Sequence, residues 1–164
     1  MFFIDEYTDL KPISFVEEKA TLVIDTAKNP YKSRPEGENP LGQMTQESVH
    51  IPSHDPFSYS LVSSVCQLGL MISTPNAGKH FIEKFVEYME SVVEQATNRV
   101  NDSVRTVEEF FPNRRLNSGS GPFFVPLELH LDLPDEAYYH PEIQEMEVLC
   151  TDMIVIDNVS FKIR

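Results

Sequence analysis

Residues 74–111 read TPNAGKHFIEKFVEYMESVVEQATNRVNDSVRTVEEFF, and the fold turns on this stretch. Thr74 is of the type that caps a helix, and Pro75 suits a first turn, where its missing N–H has no partner to lose. Phe81, Ile82, Phe85, Val86, Met89, Val93, Ala96, Val100, Val104 and Val107 then recur every three or four residues. That is the period of one helical face. The spacing predicts one long helix over 75–111, stopped by Pro112.

Upstream, Ser14 with Glu17 makes a capping box, and Val16, Ala20, Val23, Ile24 and Ala27 follow at helical spacing up to Asn29-Pro30. The segment NPYKSRPEGENPLG (29–42) reads as a loop from its proline, glycine and charge. Residues 50–73 follow neither the helical nor the strand period clearly. Helix over 60–72 ranks only slightly above irregular structure. Downstream, RRLNSGSGP (114–122) reads as a loop, and FFVPLELHLDL (123–133) as a short apolar helix in preference to a strand. Pro134 and Pro141 bracket a connection. A last helix carries Ile143, Met146, Cys150, Met153, Ile154 and Asp157 on one stripe. It is expected to pack alongside the 75–111 helix, burying the stripes of both. No repeat and no sheet pattern occurs, so the class is all-α.

The 164 residues suffice for one domain with a real core. A formal net charge of −13 argues against a nucleic-acid partner. The most membrane-like run, LVSSVCQLGLMI (61–72), is too short to span a bilayer. MFFI is followed at once by acids, unlike a signal peptide. Cys66 and Cys150 lie among apolar residues and read as buried thiols in a reducing compartment. A cytoplasmic protein is expected.

Three features could carry chemistry. Asp5 and Asp9 are four apart, so a helix would place both carboxylates on one face. Hard oxygen ligands of that kind suit Mg²⁺, which fills its remaining positions with water and substrate phosphate. An acidic pair at this spacing is more often plain surface. Asp157 falls on the apolar stripe of the last helix, with Ser160 one turn later. A carboxylate facing a core needs a partner or a metal, unless the helix emerges into solvent there. Arg114 and Arg115, next to a glycine-containing turn, could grip a diphosphate with their planar donor sets. They could equally complement a helix C-terminus.

The order of these elements resembles a known family. DEYTD (5–9), NPYKSRPEGE (29–38), a long helix leading to RR (114–115), then G, P and LEL, DLPDE (132–136) and HP (140–141) resemble the class I terpene synthases of fungi. The sesquiterpene cyclases of mushroom-forming species are the most similar group. The resemblance covers most of the chain except roughly 41–72. It implies a partial class I terpenoid-synthase helical bundle. On this reading 1–164 is a single, incomplete domain of a member that is truncated or whose gene is mis-drawn. It also implies that Asp5, Glu6 and Asp9 form the first metal motif. Arg115 would sense the diphosphate, with Arg114 beside it and Gly119 at the helix break. Asp157, Asn158 and Ser160 fall in the second metal motif, NDxxSxxxE. That motif departs from the pattern here. Counted back from Ser160 without a gap, Ile156 stands where Asn belongs and Arg164 where Glu belongs; one deletion instead sets Asp157-Asn158 against Asn-Asp, with Arg164 still in place of Glu.

In the family three Mg²⁺ ions and the Arg draw off diphosphate. The resemblance implies a linear prenyl diphosphate substrate, farnesyl diphosphate above all, cyclised in an apolar pocket. A non-catalytic helical fragment or interaction module is the alternative. A chain-elongating prenyltransferase fits less well, because no second DDxxD occurs. Given the altered second motif, this chain is not expected to cyclise farnesyl diphosphate at a useful rate.

Overall fold

A computed structural model describes residues 11–29, 32, 33, 35–37, 74–102, 106–128 and 131–162, without the side chains of 107 and 159–162. Among these residues there is no strand. The helices are α1 (Ile13–Lys28), α2 (Pro75–Val100), α3 (Val107–Asn117), α4 (Ser120–Phe124), α5 (Asp135–Tyr138) and α6 (Pro141–Lys162), with a 3₁₀ turn at Val125–Glu128 between α4 and α5. The fold is an all-α helical bundle.

The core lies between α1 and α2. Val16, Ala20, Val23 and Ala27 form the inner face of α1. They meet Phe81, Phe85, Tyr88, Met89, Val92 and Ala96 of α2, and Val125 joins the same cluster. Each large side chain so buried contributes about 1.5–3 kcal/mol. The two 3–4 spacings are therefore the main reason the helices pair.

Several expectations need correction. The helix begun at Pro75 does not run to Phe111. It starts as expected, with Thr74 Oγ1 accepting from the Ala77 N–H at 3.3 Å. It ends at Val100, which is 61% exposed, and Asp102 turns the chain with φ +50°. A new helix begins at Thr106, whose hydroxyl accepts from the Glu109 N–H while the Glu109 carboxylate accepts from the Thr106 N–H. This reciprocal cap was legible as TVEE. Pro112 lies inside α3 and does not end it. The N–H it lacks would have met the carbonyl of Glu108, which sits in an exposed first turn where water can serve.

The start of α1 differs too. Pro12 precedes the first turn in an extended conformation, and its carbonyl accepts from Phe15 and Val16. Ser14 is already helical, so the Ser14–Glu17 box is not the cap. The connection between Pro134 and Pro141 contains α5. Residues 41–72 and the acidic stretch 5–9 lie outside the described residues.

The largest correction concerns α6. It packs on α3, α4 and α5, and reaches α2 through an ion pair between Lys84 and Glu147 at 3.2 Å. Thr151 and Val155 are its buried residues among those described. Ile143, Met146, Met153 and Ile154 are exposed, at 45%, 60%, 73% and 40%, and Cys150 is exposed as well. The predicted stripe therefore faces away from the helices described here, and Cys150 is not a buried thiol. The inner face meets hydroxyls, a lysine and an arginine, so polar residues fill it.

A second packing centre surrounds His80, which is wholly buried. Its Nδ1 is 2.9 Å from Glu128 Oε1, and its Nε2 is 3.1 Å from Asp135 Oδ1. The ring stacks on Tyr138 with centroids 3.7 Å apart. A carboxylate thus lies within hydrogen-bond distance of each ring nitrogen. The cluster ties α2 to the 3₁₀ turn and to α5. Burial, followed by the nearby Glu147 and Glu128 charges, pushes the Tyr138 phenol up, so it stays neutral.

Gly119 separates α3 from α4 at φ +71°. A side chain in this left-handed region costs about 1–2 kcal/mol. Gly119→Ala is expected to lower Tm by roughly 2–8 °C, at 2–4 °C per kcal/mol for a chain of this size. An unchanged melting curve would show that the break does not need glycine.

Candidate functional site

The last turn of α3 and the Gly119 break bring several polar side chains towards α6. Arg115 lies one turn before the glycine. Its Nε–H donates to Asp152 Oδ1 at 2.6 Å and its Nη2–H to Asp152 Oδ2 at 2.8 Å, a bidentate pair. The contact raises the Arg115 guanidinium further above its ordinary range and holds the Asp152 carboxyl below the usual carboxylate range, the hydrogen bond being the larger cause in both. Both side chains keep partial access to solvent, at 33% and 24%.

A line of hydroxyls runs beside this pair. Ser118 Oγ–H donates to the Arg115 carbonyl at 2.7 Å. Ser118 Oγ is also 2.9 Å from Ser120 Oγ, which is 2.9 Å from Thr151 Oγ1. Arg115 is thus linked to α6 through its side chain at Asp152 and through its carbonyl at the adjacent Thr151. The glycine permits the turn that brings Ser118 and Ser120 together.

A cavity of about 280 Å³ opens here, lined among others by Lys84, Tyr88, Arg115, Gly121, Glu147 and Thr151. Lys84 is mostly buried and is paired with Glu147 at 3.2 Å and Glu87 at 3.7 Å. A Cβ on Gly121 would stand 3.3 Å from Lys84 Cδ, so the glycine leaves room for the lysine stem. Lys84 and Arg115 both line this cavity, each paired with carboxylates.

Arg114 does not join Arg115. Its Nη1–H donates to Asn117 Oδ1 at 2.8 Å, and Asn117 in turn donates to Gln95 Oε1 on α2. Successive helical residues point about 100° apart, so the two guanidinium groups take different partners. Asp157 is exposed and Asn158 half-buried on α6. Asp5, Glu6 and Asp9 lie outside the described residues, as does the side chain of Ser160.

The oxygens of Asp157 and Asn158 are hard donors of the kind Mg²⁺ takes. As neighbours on one helix they point apart, and among the described residues no group of three His, Cys, Asp or Glu could hold a metal. A cation beside α6 would therefore need oxygens beyond those of this pair. Among the described residues no helix is long and apolar enough to cross a membrane.

Asp152, Lys84 and Glu147 were not singled out from the sequence. Asp152 follows Arg115 by 37 positions, so no local spacing announces it. Assigning the apolar stripe to the inside of α6 also turned Asp152 away from α3.

Known proteins share much of this sequence. The family described as terpene synthase family 2, C-terminal metal binding, matches residues 1–161. Sesquiterpene synthase 14 of Postia placenta is 41% identical over 157 residues, covering 96% of this chain and 40% of that protein. Delta(6)-protoilludene synthase 18 of the same fungus is 35% identical with the same coverage. A delta(6)-protoilludene synthase of Armillaria ostoyae is 34% identical over 96% of the chain. The chain spans about 40% of the length of these relatives. With the helical bundle, the glycine break and this match over nearly its whole length, the chain belongs to the terpene synthase family, alongside the sesquiterpene synthases of basidiomycete fungi.

Proposed function

We propose that this chain is the diphosphate-gripping part of a magnesium-dependent sesquiterpene synthase. The observation that supports this most is Arg115, held on the wall of a cavity of about 280 Å³ one turn before the Gly119 break. Asp152 takes the Nε–Nη2 edge of the guanidinium, and among the described residues no protein group takes Nη1. Diphosphate oxygens match such a planar donor set. Lys84 lines the same cavity, with its charge engaged by Glu147 and Glu87.

The substrate on this reading is a linear prenyl diphosphate, farnesyl diphosphate above all. Its carbon–oxygen bond breaks with the electron pair leaving on diphosphate, and the allylic cation then closes onto a distal double bond and loses a proton. Asp5, Glu6 and Asp9, with Asp157, Asn158 and Ser160, are the residues that would hold Mg²⁺, three ions in the intact enzyme. Bound Mg²⁺ supplies positive charge that stabilises the departing diphosphate. Arg115 meets the same developing charge from the α3 side. A cytoplasmic location accords with this chemistry.

Mg²⁺ with inorganic diphosphate is expected to raise Tm by roughly 5–10 °C at about a hundredfold excess over Kd. Neither alone should do so, and Arg115→Ala should abolish the shift. No shift in the wild-type chain would favour a second reading, a non-catalytic helical module. The outward apolar face of α6, where Met153 is 73% exposed, is the observation on that side.

A further inference from the structure

We propose that Asp152 is a positioning residue for Arg115, fixing one edge of its guanidinium so that the other stays presented to a diphosphate; this rests on the function proposed above. An arginine has five N–H donors, spread over two usable edges. Asp152 engages the Nε–Nη2 edge at 2.6 and 2.8 Å. Among the described residues no protein group takes Nη1. Left free, the long side chain would lose rotamer entropy on gripping a ligand. Paired in advance, it has already lost it.

The geometry distinguishes this arrangement from simple neutralisation. A carboxylate across the Nη1–Nη2 edge would occupy the fork that a phosphate needs. Asp152 approaches from the Nε side instead. Its own helix is held in register, because Thr151, the residue before it, is buried and bonded to Ser120 across the break. Ser120 in turn touches Ser118, which has no freedom to move while it donates to the Arg115 carbonyl. The carboxylate is therefore anchored relative to the backbone that carries the arginine. Asp152 also lies on the helix that bears Asp157 and Asn158, so the register that places the arginine and the register that places those donors are the same.

The test measures binding of inorganic diphosphate with Mg²⁺ by calorimetry on the whole chain, with helix content and Tm recorded for each variant. Asp152→Asn should bind roughly tenfold more weakly than wild type, the lower end of the loss seen when a residue orienting a ligand-binding group is removed. Asp152→Glu, which keeps the charge, should recover most of the affinity. In an Arg115→Ala background Asp152→Asn should change nothing further. Tighter or unchanged binding by Asp152→Asn, with Arg115→Ala still defective, overturns this role and leaves the proposed function standing. Failure of the wild-type chain to bind Mg²⁺–diphosphate overturns both. If Asp152→Asn does not fold, the NMR signal of the Arg115 Nε–H in the wild type carries the test. It should stay protected from exchange when Mg²⁺–diphosphate is added, and its loss would show that the ligand displaces Asp152.

Discussion

Incubated with farnesyl diphosphate and Mg²⁺, the 164-residue chain is expected to release no cyclic hydrocarbon. Activity should fall at least about a thousandfold below a full-length relative assayed beside it, since losing even one transition-state contact costs 10²–10³ in rate. On the family resemblance read without a gap, two substitutions in the second metal motif account for this. Ile156 stands where the family has Asn, and it cannot coordinate a metal. Arg164 stands where the family has Glu, and its positive charge repels the ion that Glu would attract. The surroundings compound the loss. Met146, Leu149, Met153 and Ile156 are each more than half exposed, so a cation formed beside α6 would meet water before it closed a ring. The measurement is gas chromatography of the volatile products. A Mg²⁺-dependent terpene peak that disappears in Asp5→Ala would mean the altered motif still assembles.

The second large effect is on stability. His80→Ala is expected to cost about 3–5 kcal/mol, the range for truncating a large buried ring to alanine. Tm should then fall by roughly 6–20 °C. The imidazole is wholly buried, and Glu128 is 5% exposed. Glu128 Oε2 is already buried without a hydrogen-bond partner among the described residues. Deleting His80 leaves Oε1 in the same state and opens a space against Tyr138. Adding Glu128→Gln to His80→Ala should therefore restore part of the loss, because a neutral amide is less costly to strand than a carboxylate. The check is thermal unfolding of the single and double variants. A shift of less than about 2 °C in His80→Ala would show that the cluster is decorative.

Much of the bundle was legible because apolar spacing records what a helix buries. The α1–α2 core followed the rule. Val16, Ala20, Val23 and Ala27, with Phe81, Phe85, Met89 and Ala96, were all placed on inner faces, and all are buried. Tyr88, Val92 and His80 escaped because they border the stripe, and partners at 128 and 135 decide the burial of His80. The end of α2 at Val100 and the new start at Thr106 were missed because valines at 104 and 107 continued the period in the sequence, and the TVEE cap was outranked by that continuity. In α6 the rule failed. Its inner face is Gln144, Glu147, Thr151, Val155 and Asn158, set by the hydroxyls and cations of the α3–α4 corner. Periodicity finds the apolar side of a helix, and here the apolar side looks outward.

Of the candidate site, Arg115 and Gly119 stood out as a local pattern. The structure places Gly119 in the left-handed turn between two helices and Arg115 one turn before it. Asp152 could not be found in this way, because a bidentate pair across 37 positions leaves no trace in spacing. The acidic stretch 5–9 lies outside the described residues.

The way α6 is held has a consequence for how the molecule breathes. Its inner face is attached by an ion pair, a bidentate arginine and a chain of hydroxyls, with Val155 as its one wholly buried apolar residue among those described. Lifting it away exposes little apolar surface, and the slope of a transition in urea scales with the surface exposed. The amide hydrogens of Thr151 and Val155 should thus exchange with solvent through a partial opening almost indifferent to urea. Those of Phe85 and Val92 should exchange only when the α1–α2 core comes apart, with the steep urea dependence of global unfolding.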